Sequence, residues 1–307
     1  MRELEREAPD THPPDSGARP DGARRMKTVR TVAELRAALA EPRRAGAVIG
    51  LVPTMGAFHP GHLSLFRRAR ERCDVVAVSL FVNPRQFGPS DGLDSYPRAA
   101  ARDRELAAAA GVDVLFTPAV EEIYPQGFAT TVSVAGLSEP LCGVRRGRSH
   151  FDGVTTVVAK LLLAAAPEVA FFGRKDAQQA IVIRRMVADL GLPAEIEVCP
   201  TVRETDGLAH SSRNRHLRPA DRERAPALHH ALLAADALFA AGERDTDAIL
   251  QAAATVLERH GVEPEYLELR SAETLEPLPR VDEQALLAVA ATFGDTRLID
   301  NTILDPR

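Results

Sequence analysis

Apolar residues along this chain fall into short, compact runs that alternate with helix-length amphipathic stretches. Residues 48–52 (VIGLV) form one such run, and residues 75–82 (VVAVSLFV) form a longer, uninterrupted one. Continuous apolar runs of this length are typical of strands buried on both faces, as at the centre of a parallel sheet. Residues 112–116 (VDVLF), 169–172 (VAFF) and 194–198 (AEIEV) predict three more strands. Between the strands, residues 63–70, 99–110, 153–166 and 177–190 carry helical patterning, and Gly111 closes the second of these helices. Ahead of the first strand, TVAE at 31–34 has the form of a capping box that opens a helix. Strands separated by helix-length segments need crossover connections. This part of the chain therefore predicts an α/β fold, a doubly wound, Rossmann-like parallel sheet.

Past residue 202 or so the pattern changes. Alanine-rich helices are predicted over 223–241 and 246–260, followed by strands at 266–270, 287–293 and 296–300. These predict a smaller α+β domain with an antiparallel sheet, so the chain divides into a larger domain over 26–201 and a smaller, lid-like one over 202–307. Residues 1–25 hold almost no large apolar side chain. They cannot bury enough surface to offset the entropy of ordering, and a disordered tail is expected there.

Composition narrows the function classes. Apolar residues make up 45% of the chain and charged residues 26%, as in soluble globular proteins, and the formal net charge is −5. The balance gives no basic field for a nucleic-acid partner, so any anionic ligand must be held by a local cluster of donors. No run approaches the ~20 apolar residues of a membrane span. Cys73, Cys142 and Cys199 are widely spaced and form no CxxC pair. They read as reduced thiols in a cytoplasmic protein.

Four segments carry candidate chemistry. The first, PTMGAFHPGH at 53–62, joins the end of a predicted strand to the start of a helix. Helix N-termini attract phosphate, and ligands of open parallel sheets bind beyond the carboxyl ends of the strands. His59 and His62 would put two imidazoles beside such an anion. The second is FVNPRQFG at 81–88, followed by LDSYPR at 93–98, with amides suited to a hydroxy acid. The third is FFGRKDAQQ at 171–179, a strand end that places Lys175 near a helix N-terminus, with Asp176 as a candidate cap. The fourth is PTVRETDGLAHSSRNR at 200–215, whose arginines, serines and glycine suit a loop closing over a polyphosphate. Taken singly, each has an ordinary reading: a Pro-Gly turn with surface histidines, a polar loop, a capped helix with an exposed lysine, an interdomain linker.

Together, in this order and at these spacings, the four segments resemble the pantothenate synthetase family from about Met26 to Asn301. The HxGH element alone is shared with many nucleotidyltransferases, whereas the combination is specific. The resemblance implies an ATP-dependent ligase that condenses pantoate with β-alanine through a pantoyl adenylate, uses Mg²⁺, and forms a homodimer. It implies an ATP site built from Met55, Gly56, Ala57, Phe58, His59, Pro60, Gly61 and His62, with His62 in the family's acid role. Gly173, Arg174, Lys175, Asp176, Val202, His210, Ser211, Ser212 and Arg213 would complete that site. His59, His62, Lys175 and Arg213 would act on the α-phosphate. Gln86 and Gln179 would hold pantoate, Gln86 also meeting β-alanine, with Asn83, Tyr96 and His150 in the pocket wall. Asp103 matches a position linked to magnesium in relatives, with Arg102 where a second acidic residue is usual. His210 stands where Met or Leu is usual, and Phe58 where Leu is common. The competing readings are another HxGH nucleotidyltransferase with a different acceptor, and a nucleotide-binding homologue that has lost its chemistry.

Overall fold

A computed structural model describes residues 26–88, 93, 96 and 98–306. The N-terminal tail at 1–25 and the positions of Asp94, Ser95 and Pro97 in the second motif lie outside the described residues. Nine strands occur among the described residues, in chain order: β1 (Lys27–Val29), β2 (Ile49–Thr54), β3 (Val75–Leu80), β4 (Val114–Phe116), β5 (Val169–Gly173), β6 (Glu195–Cys199), β7 (Pro264–Ser271), β8 (Ala285–Phe293) and β9 (Thr296–Leu304). The helices of the first two-thirds are α1 (Val32–Arg44), α2 (Pro60–Arg72), α3 (Ala100–Ala109), α4 (Val120–Ile123), α5 (Cys142–Arg146), α6 (Arg148–Ala165) and α7 (Ala177–Asp189). Those of the last third are α8 (Pro219–Arg224), α9 (Ala227–Ala240) and α10 (Thr246–Arg259).

Strands β1 to β6 form one sheet in the order β1-β4-β3-β2-β5-β6, with every pairing parallel. This is the expected doubly wound sheet. The chain runs outward from β2 through β3 and β4, then returns across β2 to β5 and β6, so the order reverses between β2 and β5. Those two strands pair only at Gly50 with Val169 and Leu51 with Ala170. Beyond that point they splay, and their carboxyl ends open a crevice at the topological switch point. Apolar side chains cover both faces of the sheet. Leu35 and Leu39 of α1 and Val154, Val157, Val158, Leu161 and Leu162 of α6 pack on one side, and Leu65, Phe66 and Ala69 of α2 on the other. Strands β7, β8 and β9 form a separate antiparallel sheet. Alternate residues of β8 serve two cores: Leu286 and Ala288 face the parallel-sheet core, while Leu287 and Val289 face α9 and α10.

Several details differ from the expectation. Strand β1 is too short for hydrophobic patterning to mark. The helix expected from 153 begins at Arg148, one residue past Gly147, which takes φ 74°. The helix expected over 223–241 is interrupted, because Pro226 has no N–H to continue α8 and α9 starts after it. Asp176 makes no side-chain cap of α7. The capping box at Thr31 and Glu34 is present as expected, with both reciprocal hydrogen bonds. Cys73 and Cys199 are buried, Cys142 is half-buried, and all three are free thiols. Among the described residues, no helix is long and apolar enough to cross a membrane.

Candidate active site

The crevice between β2 and β5 is a cavity of about 300 Å³ that also reaches the 200–213 loop, α6 and the faces of β8 and β9. Its shape begins with the turn after β2. Gly56 (φ 87°) and Ala57 (φ 54°) both adopt left-handed backbone, which glycine tolerates and alanine does not favour. Asp103 of α3 holds this turn. It is 1% exposed, and its two carboxylate oxygens accept from the amides of Ala57 and Phe58, both at 2.8 Å. Asp103, expected near magnesium, is bonded to backbone through both oxygens and does not line the cavity. Ala57 and Phe58 are buried rather than in the cleft wall, their amides are already taken, and the Phe58 ring packs edge-on against Phe66 at 5.1 Å. Gly56, Pro60 and Arg174, also expected at the nucleotide, likewise do not line the cavity.

Past the turn, α2 opens at His59. The His59 Nδ1 accepts from the Gly61 amide at 3.1 Å, and the His62 Nδ1 accepts from the His59 amide at 3.4 Å. An Nδ1 that accepts has no proton, so each neutral ring carries its hydrogen on Nε2. The rings lie 4.2 Å apart between centroids. Burial, then the nearby Lys175 and His210, push the His59 pKa down to about 4. Burial, then His59, push that of His62 down to about 3. Both imidazoles are neutral at pH 7, which makes each a hydrogen-bond donor through Nε2–H rather than a cation. His210 stacks over His59 with centroids 6.3 Å apart, and its own Nδ1 lies 4.0 Å from Glu204.

The opposite wall comes from β5. Gly173 ends the strand and residues 174–176 form a tight turn into α7 that brings Lys175 and Asp176 to the cavity. The Lys175 ammonium lies 3.6 Å from the Asp176 carboxylate. Against the desolvation of the cleft, Lys175 with Arg213 and Arg146 holds the Asp176 carboxyl below its ordinary pKa. One turn into α7 the adjacent glutamines divide their work. Gln178 is buried, donates to the carbonyls of Leu137 and Pro140 and accepts from the Cys142 amide. Both line the cavity, Gln178 with its amide so engaged.

The floor is built on the turn at 84–86. Asn83 is 1% exposed and fully engaged. Its amide donates to Gln86 Oε1 and to the Gly153 carbonyl, both at 3.0 Å, and its oxygen accepts from the Tyr124 hydroxyl at 2.7 Å. Asn83 thus lines the cavity chiefly by orienting Gln86, whose Nε2 lies 3.1 Å from the Met55 sulfur. Gly153 makes this possible, since a Cβ there would sit 2.3 Å from the Arg85 carbonyl oxygen. The His150 Nδ1 lies 2.7 Å from the Gln86 carbonyl and donates to it, and Tyr96 packs edge-on against Phe87. Val202, Ser211, Ser212 and Arg213 enclose the remaining side. Sequence reasoning missed Asp300 and Asn301 of β9, which also line the cavity, and Arg203, which pairs with Asp300. The available signal was a polar pair inside the apolar strand LID-N-TIL, where both side chains prove to be buried.

Among the described residues no cluster of three or more histidine, cysteine or acidic side chains could hold a metal ion. Asp176 and Asp300 are the acidic side chains that line the cavity, and Asp300 is taken by Arg203.

Comparison with known proteins identifies the family. The family model described as pantoate-beta-alanine ligase matches residues 27–303. A pantothenate synthetase of Cereibacter sphaeroides is 54% identical over 273 residues, 89% of this chain and 98% of the relative. The crystal structure of pantothenate synthetase from Thermus thermophilus superposes with a TM-score of 0.85 at 49% identity, covering 90% of this chain and 99% of that one. The crystal structure of a pantoate-beta-alanine ligase from Francisella tularensis, complexed with beta-gamma ATP and beta-alanine, superposes with a TM-score of 0.74 at 32% identity, covering 91% and 97%. With a family model that spans residues 27–303 and relatives about half identical over nearly their whole length, the chain belongs to the pantoate-beta-alanine ligase family.

Proposed function

We infer that this protein condenses pantoate with β-alanine at the expense of ATP, releasing AMP and pyrophosphate. The observation that carries the reading is a single crevice in which two neutral imidazole donors face a lysine across the splayed ends of β2 and β5, with Gln86 and Gln179 in the same cavity.

The chemistry follows from what the reactants lack. A carboxylate and an amine at neutral pH form a salt, not an amide, so the carboxylate must first gain a leaving group. Pantoate, held through Gln86 and Gln179, attacks the α-phosphorus of ATP with a carboxylate oxygen. A new P–O bond forms, the bond to the β-phosphate bridge breaks, and pyrophosphate departs. Negative charge grows on the phosphoryl oxygens, where the Nε2–H groups of His59 and His62, the Lys175 ammonium and the Arg213 guanidinium converge. Preorganised donors of this kind are each worth roughly 10²–10³ in rate. The amine of β-alanine then attacks the acyl carbon, AMP leaves, and the nitrogen gives up its proton. Magnesium enters with ATP as part of the substrate.

In this reading residues 26–201 bind the substrates and residues 202–307 cover them, with Val202 and His210 to Arg213 closing over the nucleotide. Three free thiols fit a reducing cytoplasm. A homodimer, as the family resemblance implies, completes the assignment.

Product analysis with ATP, pantoate and β-alanine, omitting each in turn, tests it. Pantothenate and AMP are expected only with all three, and pantoate-dependent exchange of pyrophosphate into ATP without β-alanine. AMP formed with a different acceptor would assign the protein to another nucleotidyltransferase group. ATP binding with no turnover on any pair would mark it as a silent homologue.

A further inference from the structure

The Lys175 turn is held by a residue outside all four motifs. Asn301 of β9 is 5% exposed, and its Nδ2 donates to the main-chain carbonyls of both Arg174 and Lys175, each at 3.0 Å. Carbonyl oxygens only accept, so the orientation of this amide follows from its partners. The amide oxygen is consequently turned away, buried and without a hydrogen-bond partner. A buried acceptor left unpaired is unfavourable.

The rest of β9 fixes the clamp. Successive side chains of a strand point to opposite faces, so neighbours in sequence can reach different segments. Asp300 takes a two-point pair from the Arg203 guanidinium at 2.6 and 3.1 Å. Arg203 in turn donates to the Gly207 carbonyl at 3.0 Å, at the base of the loop that carries His210 to Arg213. Leu298 and Leu304 anchor the strand in the core under α9 and α10, and Ile303 packs against the core of the parallel sheet. The position of the 174–176 turn relative to α2 therefore depends on a strand far along the chain, bonded at sequence separations of 126 and 127.

We propose that Asn301 is a positioning residue for adenylation: its amide fixes the main chain at Arg174 and Lys175 so that the Lys175 ammonium meets the phosphate opposite His59 and His62. The inference rests on the role given to Lys175 above. A general structural part for Asn301 would affect the whole fold, whereas a positioning part acts only while Lys175 is present to be positioned.

A double-mutant cycle separates these. Pantoate-dependent exchange of pyrophosphate into ATP is measured for the wild type, Asn301→Ala, Lys175→Ala and the double variant, with thermal unfolding of each. Asn301→Ala is expected to lower the exchange kcat by about 10- to 100-fold, the scale of a small misplacement of a catalytic group, with a much smaller change in the KM for ATP. Added to Lys175→Ala, it is expected to have almost no further effect. Asn301→Ser, which keeps one donor, is expected to fall between the wild type and alanine, and replaces alanine in the cycle if that variant does not fold. Wild-type exchange in Asn301→Ala, or an equal fold-loss in both backgrounds, overturns the proposal. Full exchange in Lys175→Ala overturns instead the role of Lys175, and this inference with it.

Discussion

Two imidazoles kept neutral in a folded protein make stability depend on pH with a definite sign. The folded pKa values of His59 and His62, about 4 and about 3, lie below the ordinary 6.5. Between pH 6.5 and 4 the unfolded chain binds protons that the folded chain refuses, so stability falls as the pH falls. At pH 5.5 both folded values are far below ambient, and the penalty depends almost wholly on the unfolded pKa. Relative to pH 7.5 it comes to about 1.4 kcal/mol for each ring. Solvent reaches part of His59, which reduces its share, so the pair together should account for about 2 kcal/mol. Other groups titrate over the same range, and a His59→Gln/His62→Gln variant isolates the contribution. Glutamine retains a neutral donor near each Nε2 but cannot take up the proton. Urea unfolding at pH 7.5 and 5.5 should show the wild type losing about 2 kcal/mol more than the variant. At roughly 2 °C per kcal/mol for a chain of this size, the melting temperatures should diverge by about 4 °C. Equal losses in the two proteins would mean that the rings ionise in the folded state, and the description of them as neutral donors would be wrong.

The other predictions concern single residues. Lys175→Ala should reduce pantoate-dependent exchange roughly 10²- to 10³-fold without altering the far-ultraviolet circular dichroism. Asp103→Ala leaves two buried amides unpaired and should lower the unfolding free energy by about 3–5 kcal/mol in urea titrations, while the magnesium concentration needed for half-maximal activity in the folded fraction stays unchanged. Gln178→Ala should lower the melting temperature because it frees the 137–142 segment, whereas Gln179→Ala should raise the pantoate KM at unchanged melting temperature. Gly153→Ala drives a methyl group into the Arg85 carbonyl; it should raise the pantoate KM at least about tenfold and destabilise by about 1–3 kcal/mol.

The site divides its charges by position. Cationic groups reach the cavity from several elements, Arg146 of α5, Lys175 of the turn after β5, Arg213 of the 200–213 loop and Arg297 of β9, whereas the turn after β2 contributes donors without charge. Neutral imidazoles suit a place that must admit both a polyphosphate and a carboxylate. In the adenylation proposed above they favour charge that develops during displacement without binding either ground state as tightly as a cation would, and only stabilisation specific to the transition state raises turnover. Phe58 contributes from beneath, its ring 5.4 Å from that of His62, by helping to exclude water from the imidazole.

The doubly wound sheet was legible because its strands are continuous apolar runs separated by helix-length segments, and periodicity reports burial directly. The four motifs were legible because each joins a strand end to the element after it, so local order in the chain already places them around one crevice. Asp103 and Asn301 show where local order stops helping. In sequence Asp103 is one carboxylate in a charged, alanine-rich helix, and nothing nearby reveals that its partners are amides 46 and 45 residues earlier. Only the left-handed turn at Gly56 and Ala57 creates amides that need an acceptor, and only the packing of α3 against that turn supplies one. Asn301 could have been suspected, because a polar pair within an apolar strand must find partners once buried. Which partners it finds depends on how β9 docks against the β5 turn, a property of tertiary contact that no run of residues encodes alone. Pattern therefore located many of the groups that line the crevice, and missed how Asp103 and Asn301 hold the turns behind them.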